Sequence, residues 1–379
     1  MERRKQIHEI YITRAIAIIG VLIVHATATP VTLITDPNLS KGFHFMNVFF
    51  KFGTTTFILL SSFVLFYTYY HRSLNRKLIG RFYKRRLLYI LLPYALFSVA
   101  YFFGPFSNYP FFQGVDKEAV KSFIISMLTG KAEGHLYFVF ISVQLYLMFP
   151  LFLWLLKKFP SFCKYLVLIG FASQWAFVIL NHYYLQIPMK GSIAFSYFSF
   201  YFTGAFLGIY YQQIMDWLKQ NKFQSVMYQA VLVCIWLGVA GTHIWMWYVT
   251  RIEERQLPQF MFEGVWNAHT FLSAIVLIVI SHYIFHLASA KLVNTLIHLG
   301  VLSFGIYLIH IFALRAYTYL IPYEGEPLQY SLTVGGAFLA ELLVSGWIVN
   351  LFLKRLSWSW IIFGAMPKVT PYKSGLERA

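Results

Sequence analysis

Apolar runs of about twenty residues, the length of a membrane-crossing helix, recur from one end of this chain to the other. That recurrence limits the fold more than any other feature of the sequence. In hydrocarbon every backbone N–H and C=O must find its partner within the protein, which leaves helices and closed barrels. These runs are continuously apolar and do not alternate, so they read as helices. Ten spans are predicted, roughly over 10–28, 46–70, 87–107, 135–156, 163–183, 194–211, 225–249, 264–286, 299–318 and 329–353. The predicted fold class is all-α, a polytopic transmembrane helix bundle. Composition agrees: 12% of residues are charged, where soluble domains carry about 25%.

The net charge is +17. In a soluble protein that would point to nucleic acid, but here the basic residues bunch between apolar runs, and no nucleic-acid partner is expected. Alternating connections (the N-terminus, 71–86, 157–164, 212–224, 287–298 and the C-terminal tail) hold 21 of the 31 lysines and arginines. The positive-inside rule then places both termini in the cytoplasm of a plasma-membrane protein. Residues 1–353 are read as one integral membrane domain and 354–379 as a basic cytoplasmic tail. In the long outer connection, AVKSFIISMLTG is short and amphipathic and is expected to lie in the interface. Cys163 and Cys234 give neither a disulfide framework nor metal spacing, and no metal site is expected. Pro93 and Pro150 are read as lying near span ends.

Residues 14–25 read RAIAIIGVLIVH. A membrane helix needs neither the guanidinium nor the imidazole. Eleven positions correspond to about 16 Å along a helix and to within about 20° of one face. Arg14 and His25 therefore share a stripe, Arg14 near the cytoplasm and His25 toward the outside. Snorkelling to headgroups would account for Arg14 alone, and an interface imidazole for His25 alone; the pairing favours function. Ser303, Tyr307 and His310 share a face of the ninth span, and Glu341 falls mid-way along the tenth, where a carboxyl is costly unless accommodated. The run HRSLNRKLIGRFYKRRLLYILLPY carries seven cations that suit topology and also a phosphate-bearing ligand.

Taken in order, ITRAIAIIGVLIVHA, GTTTFILLSSFVLFY, FYKRRLLYILLPY, GHLYFVFISVQLYLMFPL and LSFGIYLIH resemble the acyltransferase 3 family of membrane acyltransferases. The similarity runs from residue 9 to about 350 and is strongest to the polysaccharide-modifying branch, the intercellular-adhesion (poly-N-acetylglucosamine) type. Two departures stand out. Ser61-Ser62 replaces a Ser-Gly pair, and Tyr89 stands where a second arginine often follows Arg86.

The resemblance implies an enzyme that takes an acyl group, acetyl or succinyl, from cytoplasmic acyl-CoA to a hydroxyl of an exported or cell-surface polysaccharide. On that reading His25 is the general base, since imidazole titrates near neutrality, and Arg14 acts with it. Arg14, Lys84, Arg85 and Arg86 bind the donor's phosphates or line its path. Ser61, His135, Tyr137, Gln144, Tyr307, His310 and Glu341 line the pocket or the acceptor side. Acyl-CoA is a co-substrate, and no permanently bound cofactor is expected. The bilayer, the carbohydrate acceptor and a polysaccharide synthase complex are the candidate partners. Direct transfer is expected, with an acyl-enzyme on His or Ser61 left open. The alternative is a polysaccharide exporter or flippase without acyl chemistry, for which inverted repeats and broken helices would speak.

Overall fold

The computed structural model of the protein describes residues 6–34, 36–107, 109–111, 114–324, 326–365 and 372. Their regular secondary structure is helical. In chain order the α-helices are α1 (Glu9–Ala28), α2 (Pro30–Leu33), α3 (Pro37–Phe49), α4 (Gly53–Tyr69), α5 (Arg76–Arg86), α6 (Leu92–Phe102), α7 (Lys117–Thr129), α8 (Tyr137–Lys158) and α9 (Leu166–Leu180). They continue with α10 (Phe198–Ile209), α11 (Tyr211–Gln220), α12 (Lys222–Arg251), α13 (Gln259–Leu287), α14 (Ala290–Leu320), α15 (Pro327–Leu339), α16 (Ser345–Arg355) and α17 (Trp360–Phe363). Among the described residues nine helical segments are long and apolar enough to cross a membrane, and a shorter apolar one covers Ala194–Ile209, where the sixth span is predicted. The protein is a multi-pass membrane protein. Half of the tail predicted over 354–379 lies outside the described residues; the described part includes the end of α16 and all of α17.

Boundaries move where charge and helix formation disagree. The connection read over 71–86 is helical from Arg76, where the Asn75 side chain accepts from the Leu78 amide. It runs through a π turn at Leu87–Leu91 into α6, so the third span is Arg76–Phe102. Lys and Arg are good helix formers; they end a hydropathy signal without ending a helix. For the same reason α14 begins at Ala290, inside the connection read over 287–298, and α11 occupies the one read over 212–224. The second span starts early, at Pro37, where the Asp36 carboxylate caps the Asn38 and Leu39 amides, and it breaks at residues 50–52 before α4. Pro150 stands inside α8 and not at its end. The segment expected at the interface forms α7, started by Asp116 and exposing Val120, Ile124, Ile125 and Leu128.

The chain forms two compact units. One comprises Met1–Phe57 and Gln213–Leu351; the other comprises Ile58–Gln212 with Phe352–Met366. In the first, α1 packs along α14 and also against α13 and α3, while α3 reaches α12. Its closest approach is at Gly300, where a Cβ would overlap the Tyr11 carbonyl, so only glycine lets the two backbones meet. In the second unit α9 packs on α10, and α5 on α8. Gly204 and Gly208, one helical turn apart on α10, lie against the Leu59 and Phe63 carbonyls of α4, a small-xxx-small contact.

Candidate functional site

The first unit carries the Arg14–His25 stripe. Arg14 Nε donates to Ser303 Oγ at 3.2 Å, and Ser303 Oγ donates to the Gly300 carbonyl at 2.9 Å. At the other end of α1, the His25 ring stands edge-on to His310, with centroids 4.9 Å apart. The early residue of α1 meets the early residue of α14, and the late one the late one. The two helices are therefore parallel. His310 Nδ1 lies 2.7 Å from the Tyr307 carbonyl. A carbonyl only accepts, so Nδ1 carries the proton, and in the neutral ring Nε2 keeps its lone pair. Arg14, His25, Ser303, Tyr307 and His310 thus lie on one seam, where the sequence spacing places them.

Glu341 belongs to the same unit. It sits in a π turn, Ala340–Val344, packed against α14 and α1, with no exposed surface. Neither carboxyl oxygen has a hydrogen-bond partner among the described residues. Tyr323, in the connection before α15, lies within electrostatic reach of Glu341 and donates to the Ala26 carbonyl at 3.5 Å, next to His25. Burial, reinforced by Glu341, pushes the Tyr323 phenol above its ordinary pKa and keeps it a donor.

The second unit holds the other sequence-predicted residues. Lys84 and Arg85 are exposed on α5. Arg86 is half-buried, with its guanidinium 5.1 Å from the Tyr146 ring centroid, and Tyr146 Oη shares a 2.8 Å hydrogen bond with Ser61 Oγ. Arg86, Tyr146 and Ser61 are thus linked in one chain of contacts from the basic helix. Ser62 instead donates to the Tyr201 carbonyl at 2.5 Å. Gln144 spends both ends of its amide on backbone: Nε2 donates to the Ser192 carbonyl at 2.8 Å, and Oε1 accepts from the Ala194 amide at 3.1 Å. His135 is buried, edge-on to Tyr101 at 4.9 Å, and Tyr137 opens α8 half-buried.

Two clusters in the first unit escape the sequence reading. His243 and His269, both fully buried, face each other with their Nδ1 atoms 2.9 Å apart, and Trp247 Nε1 donates to His243 Nε2 at 3.1 Å. His243, Trp247 and Arg251 recur every fourth residue on α12, a one-face pattern visible in HIWMWYVTR. Elsewhere Glu9, His282 and His286 each offer a ligand atom within 4.8 Å of the others. Glu9 Oε1 lies 3.7 Å from His282 Nδ1, and His286 Nδ1 donates to the His282 carbonyl at 2.9 Å. This set has the donor types of a metal centre, and equally those of a carboxylate–histidine ion pair.

The chain matches the acyltransferase domain model of the acyltransferase 3 family over residues 7–350. It is similar to proteins described as probable poly-beta-1,6-N-acetyl-D-glucosamine export proteins of Staphylococcus aureus. It is 26% identical to that of strain MRSA252 and 25% to that of strain MSSA476, in each case over 80% of this chain and 81% of the relative. No solved structure matches it. A match extending over nearly all of the helical bundle, with the seam of α1 and α14 inside it, shows that this chain belongs to the acyltransferase 3 family.

Proposed function

We propose that the protein is a membrane O-acyltransferase that moves an acyl group, acetyl or succinyl, from cytoplasmic acyl-CoA to a hydroxyl of an exported or cell-surface polysaccharide. The observation that carries this reading is the α1–α14 seam. It sets a cation at one end and an imidazole pair about 16 Å further along the helix. His25 takes the proton of the attacking hydroxyl, with its neighbour His310 held in one tautomer by the Tyr307 carbonyl. Arg14 is fixed by Ser303 and faces the donor. In the second unit, Lys84, Arg85 and Arg86 take the donor's phosphates, for which guanidinium forks are well shaped.

The test uses purified protein, labelled acetyl-CoA or succinyl-CoA, and oligosaccharide acceptors. With His25→Ala, transfer is expected to fall by at least about 100-fold, the lower range for general-base catalysis, while the protein elutes and melts as the parent does. Unchanged transfer would sink the base assignment. Neutralising Arg85 and Arg86 together is expected to weaken CoA binding; unaltered binding would return them to setting topology.

A second reading is favoured by one observation, the export role in the names of the staphylococcal relatives. Here the polar seam guides a polymer without chemistry. Polymer translocation by reconstituted protein with no consumption of acyl-CoA would establish it and overturn the enzyme.

A further inference from the structure

At the break between α3 and α4, Lys51 Nζ sits 4.2 Å from the Trp247 ring centroid, and the Arg251 guanidinium sits 4.1 Å from the same centroid. Arg251 Nη1 also lies 3.4 Å from His44 Nδ1, and His44 is buried. Lys51 and Arg251 are each half-buried, within electrostatic reach of one another. No carboxylate pairs with either among the described residues; the cations of this cluster meet the Trp247 indole and the His44 imidazole, and His243 lies within electrostatic reach of Lys51.

Two half-buried like charges cost energy when brought together, and an aromatic face offsets only part of that cost for each. An ordinary structural cluster would contain an acid. Glu253 is close in sequence, yet it pairs with the exposed Arg255. A lysine point charge, an arginine fork and an imidazole gathered about one indole instead match an anion with several acceptor oxygens.

The cluster also has a defined address. Asn47, one turn after His44 on α3, donates to the Val24 carbonyl at 3.1 Å and to Thr27 Oγ1 at 3.1 Å, on either side of His25 in sequence. One short helix therefore carries His44 to the cation cluster and Asn47 to the His25 end of α1.

We propose that Lys51, Arg251 and His44, arranged around Trp247, form a binding site for a phosphate ester on the ligand that approaches the His25 end of α1. The phosphate belongs either to a lipid headgroup or to a phosphorylated soluble ligand; both present the same oxygens. That this ligand is the acyl acceptor rests on the reading of His25 as the base. The anion site itself does not.

The experiment separates these points. Full-length protein in a phosphate-free maltoside detergent is titrated with glycerol 3-phosphate, with glycerol, and with phosphatidylglycerol doped into the micelles. Binding is read by thermal shift and by native mass spectrometry, with no acyl donor present. The parent protein is expected to bind a phosphate probe and not glycerol. Lys51→Gln and Arg251→Gln should each weaken that binding at least about ten-fold, a factor corresponding to 1.4 kcal/mol. Lys51→Arg should retain most of it, and Arg255→Gln all of it. Loss confined to phosphatidylglycerol identifies the headgroup as the source; loss of glycerol 3-phosphate binding identifies a soluble phosphorylated ligand. Should neither probe bind the parent, or should both glutamine variants bind as the parent does, the site is overturned and Trp247 alone holds the cations. His25→Ala serves as the link. It should keep phosphate binding while losing transfer; if it keeps both, the base assignment falls and the anion site stands.

Discussion

A histidine at the end of a membrane helix acquires chemical meaning from what stands against it. His25 faces His310, and His310 is committed at Nδ1 to the Tyr307 carbonyl. Gln144 shows the opposite case. The sequence places it on the acceptor side, but both ends of its amide hold the backbone at Ser192 and Ala194. Gln144→Leu is therefore expected to leave those two groups unsatisfied, each costing about 1–3 kcal/mol, and to lower the melting temperature in detergent without changing KM for the acceptor. A changed KM with an unchanged melt would place Gln144 on the ligand instead. Arg14 and His25 were legible because an eleven-residue interval has a single helical meaning. The cluster of His44, Lys51, Trp247 and Arg251 was not, because His44 and Arg251 lie 207 positions apart and only packing joins them.

At the scale of elements, the seam depends on how closely α1 and α14 approach. Adding a methyl at Gly300 brings it onto the Tyr11 carbonyl, three residues before Arg14. Gly300→Ala is expected to cost about 1–3 kcal/mol, the usual penalty for overpacking, and to reduce transfer with it by prising Arg14 from Ser303. Gly335→Ala, whose added Cβ meets nothing within 4 Å, is the matching control; equal melts for the two would refute the close-packed seam. Spans were legible as apolar runs, but their true ends were not. Hydropathy registers what lipid tolerates, and the helices from Arg76 and from Ala290 continue beyond that limit on residues that favour both water and helix.

For the whole molecule, the charge distribution predicts an orientation that a labelling experiment can read. In a background with Cys163 and Cys234 replaced, a cysteine at Arg255 should react with an impermeant thiol reagent added to intact cells, and one at Arg76 only after permeabilisation. The reverse pattern would invert the topology and with it the sides of α1 proposed for donor and acceptor. The lengths of the two seam helices carry a further implication. The first span, α1 continued through α2, has 25 residues from Glu9 to Leu33 and α14 has 31, or about 38 Å against about 46 Å, while hydrocarbon is about 30 Å thick. The shorter span exceeds the hydrocarbon by about half as much as the longer one to which it is fastened. Thicker membranes should therefore draw the ends of the first span into hydrocarbon while α14 still spans. In reconstituted bilayers of graded acyl-chain length, transfer should pass through a maximum near the thickness that the first span matches and decline as the lipids lengthen; the protein would then respond to membrane thickness through the one span that bears both Arg14 and His25.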